Sequence, residues 1–218
     1  MRSAFIASSA AILLTLALPA QGNHHEGDSE AAVAAASETL STAQAMASGT
    51  YDVDPGHTIA SFTLNHLGIS SYTGQFGNPS GSLTIDPANP AQASVDITFP
   101  VADVSTTSSE LDAHLQSDDF FDADNHPNIR FVSSNVSVDG AQATVTGDLT
   151  MHGVTKPVTL NATLFGAGEN PMSKAPSLGF TATTTIKRSE WGLTTFLPAL
   201  GDEVELKLQA AFEQKTAN

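Results

Sequence analysis

Alternation of apolar and polar residues dominates most of the chain, and it is clearest around position 150. Residues 145–151 alternate apolar with polar side chains, and a second alternating run follows Pro157. Period-2 alternation is typical of strands that bury one face. We therefore predict two antiparallel strands joined by a short turn at His152-Gly153. Because proline has no N–H for a ladder, Pro157 is predicted to be the first residue of the second strand.

Similar short runs recur along the chain and are separated by turn dipeptides such as Asp86-Pro87 and Asn89-Pro90. Each run has one apolar face. Many short strands of this kind favour either a sandwich or a closed barrel, and the fold class is therefore all-β. The further runs are residues 60–66, 95–101, 129–131, 178–186 and 204–212.

One segment between the strands has helical features. Residues 107–110 read Thr-Ser-Ser-Glu, a capping box with Thr107 as the N-cap, and the spacing of apolar residues in 111–115 predicts a short helix. Phe120 and Phe121 follow. Two adjacent Phe residues cannot both easily face one strand-built core, so we predict a lid across the mouth of a barrel. A plug that closes the barrel end without any ligand is the alternative.

The N-terminus predicts export. Arg2 precedes a short apolar run that ends at Pro19-Ala20, which is typical of a cleaved signal peptide. We predict a signal peptide over residues 1–22, an Ala/Ser-rich acidic linker without stable structure over residues 23–48, and a strand-rich domain over residues 49–218. The mature protein is therefore expected to be exported.

Composition excludes several function classes. The 218-residue chain has 8 Lys+Arg against 23 Asp+Glu, a net charge of −15, which argues against binding nucleic acid. With no cysteine, it has neither disulfides nor a thiolate nucleophile or metal site. Patterns of the GxSxG, HExxH and P-loop type are missing from the sequence. A hydrolase site of these patterns is therefore not expected, and no residue is assigned a catalytic role.

The acidic loop and the histidines are the main candidates for metal ligands. The loop could bind a hard cation but lacks EF-hand spacing, so a solvated loop is preferred. The spacing of the histidines places no two of them on one helix face, and convergence on a metal cannot be inferred. We therefore predict no metal site. These residues are Asp118, Asp119, Asp122, Asp124 and His126 of the loop, and the histidines His57, His66, His114, His126 and His152.

The predicted inward positions mix bulky and small side chains. Phe62 and Phe99 are bulky, whereas Gly147 and Ala182 are small and leave room for a ligand. Gly147 is interpreted as a gap that admits ligand. With 11 Phe against 2 Tyr and 1 Trp, the lining has few polar groups. Such an interior suits a long hydrocarbon tail.

Five ordered blocks carry a resemblance to a known family. They are YDVDPGHT with the following GQF (residues 51–76), HLQSDDFFD with HP (114–127), GDLTMHGVTKPV (147–158), RSEWG (188–192) and GDEV (201–204). Over about residues 51–212 the chain resembles the YceI family. Trp191 stands where that family usually has Phe or a similar residue.

The resemblance implies a lipocalin-like, antiparallel, eight-stranded β-barrel with a short helical lid segment around an apolar tunnel. It also implies binding of polyisoprenoid or other amphipathic lipids, a periplasmic location and no catalytic activity. Apart from a bound lipid, such as a polyprenyl pyrophosphate, an isoprenoid quinone, a fatty acid or a fatty amide, no cofactor is expected. Relatives are linked with membrane cytochromes of the b561 type.

We predict that the ligand contacts the inward strand residues, the lid and the loop that follows residue 187. The candidates for the lipid head group are Arg130, Lys156, Lys187 and Arg188. For Arg188, an ion pair to Glu190 or another carboxylate is the alternative. The predicted ligand-binding residues are Phe62, Leu64, His66, Phe76, Phe99, Leu115, Phe120, Phe121, Phe131, Leu149, Met151, Phe180, Ala182, Ile186, Arg188, Trp191 and Phe196.

The main hypothesis is a non-enzymatic protein that binds, stores or transports a long-chain amphipathic lipid. One alternative is a metal-binding or enzymatic barrel that uses His57, His66 or His152. Another is an interaction module for a membrane cytochrome. Transient contact with a membrane and a homodimer are further open alternatives.

Overall fold

The structure is a computed structural model that describes residues 46–214, so the predicted signal peptide and nearly all of the predicted linker lie outside the described residues. Eleven strands and the helix α1 account for most of this range. Their bounds are β1 Gly49–Val53, β2 Ile59–His66, β3 Ser70–Phe76, β4 Ser80–Ile85, β5 Ser94–Pro100, β6 Val104–Ser105, α1 Ser109–Gln116, β7 Asn128–Asp139, β8 Gln142–Met151, β9 Val154–Glu169, β10 Pro176–Lys187 and β11 Leu200–Gln214.

The strands form one closed antiparallel barrel. The last strand, β11, pairs with β2 through residues 200–209 and with β1 through residues 212–214, so β1 and β2 are two halves of one barrel strand. In the same way β3 continues into β4, and β5 into β6. Eleven segments therefore occupy eight positions around the barrel, which confirms the predicted eight-stranded architecture.

A buried threonine bridges the break between β1 and β2. The Oγ1 atom of Thr58 donates to the carbonyl of Ala211 (3.2 Å) and accepts from the amide of the same residue (2.9 Å). Thr58 is fully buried, so a side chain here replaces the backbone groups that would otherwise continue the ladder with β11. The barrel wall stays closed although the strand is interrupted.

The predicted hairpin is the pair β8–β9, with its turn at His152-Gly153. The prediction that Pro157 begins the second strand is wrong, because β9 already starts at Val154. Pro157 faces Asp148 of β8, and β10 pairs with β9 only from Asn161 toward the C-terminus of β9. The other edge of β9 is free of ladder bonds at Pro157, and a proline is tolerated there for that reason.

The predicted helix is present, but its N-cap is displaced by one residue. Ser108, and not Thr107, has the extended backbone of an N-cap, and its Oγ accepts from the amide of Leu111 at 3.3 Å. The helix is followed by the lid loop, defined here as residues 117–127, which consists of turns.

The turns of the barrel fall into two groups. The upper end carries residues 67–69, the segment 106–127 with α1, the turn 152–153 and the loop 188–199. The lower end carries residues 86–93, 140–141 and 170–175. Within residues 46–214, no helix is long and apolar enough to cross a bilayer.

Candidate functional site

The inward faces of the strands surround two adjoining apolar cavities. The upper cavity lies under α1 and the lid loop and has a volume of ≈ 140 Å³, and the lower cavity has a volume of ≈ 230 Å³. They adjoin at one layer of side chains, because the same four residues line both. These residues are Ile97, Phe131, Leu160 and Leu208.

The roof of the upper cavity comes from the lid and the neighbouring loop. Phe120 and Phe121 both line the cavity, together with Leu115 of α1. A run of turns, unlike a strand, can direct two successive side chains to one side. The Phe121 ring packs edge-on against Phe76 with centroids 5.3 Å apart, and the Phe120 ring packs edge-on against His114 at 5.0 Å. The lid is therefore held by aromatic contacts.

Arg188 is the one charged residue that lines the upper cavity, and it is 5% exposed. Its guanidinium donates to four backbone carbonyls at 2.7–3.0 Å, those of Leu193, Thr195, Leu200 and Gly201. Glu190, which the sequence offered as an alternative partner, is not among these acceptors. Burial lowers the pKa of Arg188, and attraction to Asp202 opposes that shift. An arginine has five N–H donors, so four of the five are used by backbone carbonyls.

The lower cavity is wide because its wall contains a row of alanines. Ala143 of β8, Ala162 of β9 and Ala182 of β10 lie side by side in the strand register and all line the cavity. Three methyl groups occupy positions where larger residues would fill the barrel. The mouth of this cavity is formed by Met46, Pro87, Pro90 and Gly140.

Two glycines allow phenylalanine rings to lie against the barrel wall. A Cβ on Gly74 would lie 2.3 Å from Cζ of Phe62, and one on Gly147 would lie 2.6 Å from Cζ of Phe131. The prediction that Gly147 is an open gap is therefore wrong, since the Phe131 ring already covers it. The rings lie over backbone instead of crossing the barrel, and this leaves the centre open.

Comparison with known proteins identifies the family. The model of the YceI-like domain matches residues 51–212, about three quarters of the chain. The chain belongs to the YceI family. A UPF0312 protein of Photorhabdus laumondii is 38% identical over 169 residues, which cover 77% of this chain and 87% of that protein.

Two solved structures have a similar fold. BcnA of Burkholderia cenocepacia matches with a TM-score of 0.63 at 28% identity, over 73% of this chain and 99% of that chain. A polyisoprenoid binding domain from Saccharophagus degradans matches with a TM-score of 0.57 over 76% of this chain and 98% of that chain. At 16% identity, this second likeness shows the fold alone.

Most of the predicted ligand-binding residues line the cavities of this YceI barrel. Whether they contact a ligand stays a prediction. Those on the upper cavity are Phe62, Leu64, Phe76, Phe99, Leu115, Phe120, Phe121, Leu149, Met151, Ile186 and Arg188; Phe131 lines both cavities, and Phe180 and Ala182 line the lower one.

Three predicted residues line neither cavity. His66 is the last residue of β2, and its ring faces Tyr72 at 6.2 Å at the rim of the barrel. Trp191 is 1% exposed, but its Nε1 donates to the carbonyl of Leu149 at 3.1 Å, so it packs on the β8–β9 hairpin. Phe196 is 57% exposed, with its ring 6.2 Å from that of Phe120. Alternation did not show where strands end or where loops fold back.

The sequence prediction missed most of the lower cavity. It named Phe131, Phe180 and Ala182 but not the walls contributed by β4 and by the lower halves of β7 and β9. The signal was present, since Leu160, Ala162 and Leu164 continue the alternation of β9. The further lining residues include Leu83, Ile85, Val95, Val136, Val145, Leu164, Ala210 and Phe212.

Proposed function

We propose that this YceI-family barrel binds the hydrocarbon tail of a long-chain amphipathic lipid and stores or transports that lipid in the periplasm. The observation that carries the proposal is the pair of adjoining cavities, lined almost wholly by apolar side chains and roofed by a lid. Burial of apolar surface contributes roughly 25 cal/mol per Å², so a tail spanning both cavities has a substantial driving force.

The walls favour a flexible chain over a rigid polar molecule. Side chains of Phe, Leu, Ile and Val provide almost all of the upper lining, and alanines widen the lower cavity. Polar groups on the lower lining, Ser94 and Gln142, do not include an ionised side chain. Binding of a hydrocarbon tail requires a cavity of complementary shape with apolar contacts, whereas a few polar groups are enough to orient the ligand. The polyisoprenoid binding domain with the same fold makes a polyprenyl compound the first probe to test.

The hydrogen bonds of Arg188 restrict the head group. A pyrophosphate accepts many hydrogen bonds and prefers several cations or free N–H groups. Arg188 donates four of its N–H groups to backbone carbonyls and retains one. We therefore favour a head group with a single carbonyl or carboxylate oxygen, as in a quinone, a fatty acid or a fatty amide. The chemistry of the cavities involves binding and no reaction.

The test is to purify the full chain from its native host and identify bound lipids by mass spectrometry after solvent extraction. We expect an isoprenoid or fatty-acyl lipid at near one equivalent, and periplasmic fractionation of the protein. Ala182→Phe should fill the lower cavity and remove most of that lipid. Thr183→Phe, at the neighbouring exposed position, is the matched control and should retain it. Protein without lipid that also fails to bind prenyl and fatty-acyl probes would refute the proposal.

A further inference from the structure

Two histidines and an aspartate that are distant in sequence meet at the upper end, outside both cavities. Asp122 and His126 belong to the lid loop, and His152 forms the β8–β9 turn. One ligand atom from each of the three side chains lies within 4.8 Å of the other two. All three side chains are half-buried, so they are partly shielded from water but still reachable by a small ion.

His152 is oriented by a hydrogen bond that leaves its other ring nitrogen available. Its Nδ1 lies 2.9 Å from the carbonyl oxygen of Trp191. Because a carbonyl oxygen only accepts, Nδ1 carries the proton, and Nε2 of the neutral ring keeps its lone pair. This arrangement, with one imidazole nitrogen held by a backbone carbonyl, is the usual support of a metal-ligating histidine.

The backbone places the other two side chains against this ring. The amide of His126 donates to the carbonyl of Asp122 at 2.7 Å, which brings the two side chains together. The His126 ring lies 5.2 Å from the His152 ring and packs where Gly153 has no side chain, since a Cβ there would be 2.6 Å from Cε1 of His126.

The carboxylate is also oriented. Nδ2 of Asn125 lies 2.9 Å from both oxygens of Asp122. A carboxylate has about four acceptor positions, so it retains lone pairs for an ion. Two imidazoles and one carboxylate form the donor set of many three-ligand zinc sites, in which water completes the coordination.

We propose that Asp122, His126 and His152 bind one divalent transition-metal ion of the zinc class. The imidazoles favour such an ion over Ca²⁺ or Mg²⁺, which prefer sites made only of oxygen ligands. The site is separate from the lipid cavities and does not depend on the proposed lipid. A bound ion connects the lid loop to the β8–β9 turn and therefore stabilises the folded state by mass action.

The proposal is tested by calorimetric titration of the metal-free full chain with Zn²⁺. The titration is made in a His24→Ala/His25→Ala background, because those two histidines lie outside the described residues. We expect one Zn²⁺ per chain and a higher melting temperature with Zn²⁺. Asp122→Asn and His152→Asn should each weaken binding by at least about tenfold, by analogy with metal-site variants. Both positions have φ = +50°, which Asn tolerates.

His57→Asn is the matched control, since His57 also lies beside a carboxylate, that of Asp54 at 2.7 Å, but has no second histidine in its group. It should bind Zn²⁺ as the parent does. Equal affinity of the parent, Asp122→Asn and His152→Asn would overturn the proposal. NMR gives a test that does not depend on the variants: the ring signals of His126 and His152 should shift with substoichiometric Zn²⁺, and shifts confined to other histidines would also overturn it.

Discussion

The upper and lower cavities belong to one barrel but differ in what surrounds them. Large side chains fill the upper layers, where Phe62, Leu149 and Met151 line a cavity of ≈ 140 Å³. Alanines such as Ala162 and Ala182 line the lower cavity, which measures ≈ 230 Å³. Strands β7 to β11 run through both regions without a break, so the size of their inward side chains determines the space available.

The two ends also differ in how they are closed. Hydrogen bonds from Arg188, Trp191 and Thr195 hold the upper loops to one another and to the barrel. The lower mouth is bordered mainly by apolar residues and turns, among them Met46 and Pro87. The upper end is therefore ordered by specific hydrogen bonds, whereas the lower end contains the wider cavity. If a lipid binds as proposed, its tail is expected to have more conformational freedom in the lower cavity than in the upper one.

The largest expected effects come from a carboxylate placed in each cavity. Met151→Asp puts a charge in the enclosed upper cavity and removes a side chain that is 6% exposed. Lost packing alone is expected to cost about 2–5 kcal/mol, and desolvation of the carboxylate adds to it. Phe180→Asp, in the wider lower cavity, should leave a folded protein that no longer binds lipid. Urea unfolding and lipid extraction of both variants check this contrast.

The opposite pattern of effects in these two variants would contradict the expected contrast between the cavities. If Phe180→Asp unfolds the barrel while Met151→Asp folds and loses only lipid, then the lower cavity is the more rigid and enclosed region. Phe180→Leu is the matched control for the loss of the ring without a charge. It should retain lipid, because the lower wall stays apolar.

Period-2 alternation predicted most of the longer strands and part of the upper lining. Phe62 and Leu64 point inward as predicted, because alternation reports the face of a strand directly. His66 continues the same pattern but lies at the rim, where the barrel ends. Alternation contains no information about the height of a residue along the barrel axis.

Loops and close contacts between distant residues could not be predicted in this way. Trp191 is buried against the β8–β9 hairpin because the loop after β10 folds back over it, a long-range contact without local signal. The packing of the Phe131 ring against Gly147 and of the His126 ring against the His152 ring are also long-range contacts without a local signal. Such contacts depend on tertiary geometry, and the sequence pattern describes only local geometry.

Gly74→Ala tests whether open space in the upper cavity depends on rings lying against the wall. The new Cβ would be 2.3 Å from Cζ of Phe62, so the ring must move toward the barrel centre. We expect a stability loss of about 1–3 kcal/mol from overpacking and a weaker affinity for a fluorescent fatty-acyl probe. Gly77→Ala is the matched control, with no heavy atom within 4 Å of its Cβ. Equal stability and equal probe affinity of the two variants would show that the open space in the upper cavity does not depend on the position of the Phe62 ring.

Trp191→Phe tests whether order at the upper end depends on the loop that folds over the hairpin. It removes the hydrogen bond from Nε1 to the carbonyl of Leu149 and leaves a void in a fully buried position. The expected loss is about 1–3 kcal/mol, measured by urea unfolding monitored by circular dichroism. Phe196→Leu on the same loop, at an exposed position, should change stability by less than about 0.5 kcal/mol. A neutral Trp191→Phe would mean that the loop contributes little.

The smallest expected effect concerns a carboxylate at the base of the same loop. Asp202 accepts from the amide of Ser189 (2.9 Å) and from its hydroxyl (2.8 Å), and the amide hydrogen bond is the main cause that lowers the pKa of Asp202. A carboxylate with a lowered pKa stabilises the folded state above its unfolded pKa of about 3.9 and loses that contribution as the pH falls through the folded pKa.

Asp202→Asn should therefore be less stable than the parent protein at pH 7, and the difference should shrink toward pH 3. Because Asp202 is only half-buried and solvent screens its charge in part, we expect a smaller change than for Trp191→Phe. Thermal unfolding between pH 7 and pH 3 measures it, with Asp139→Asn, an exposed residue of β7 near the lower end, as a control of equal charge. A constant difference across this range would show that the Asp202 charge does not stabilise the upper loop, and the contrast between the two ends would then rest on Arg188 and Trp191.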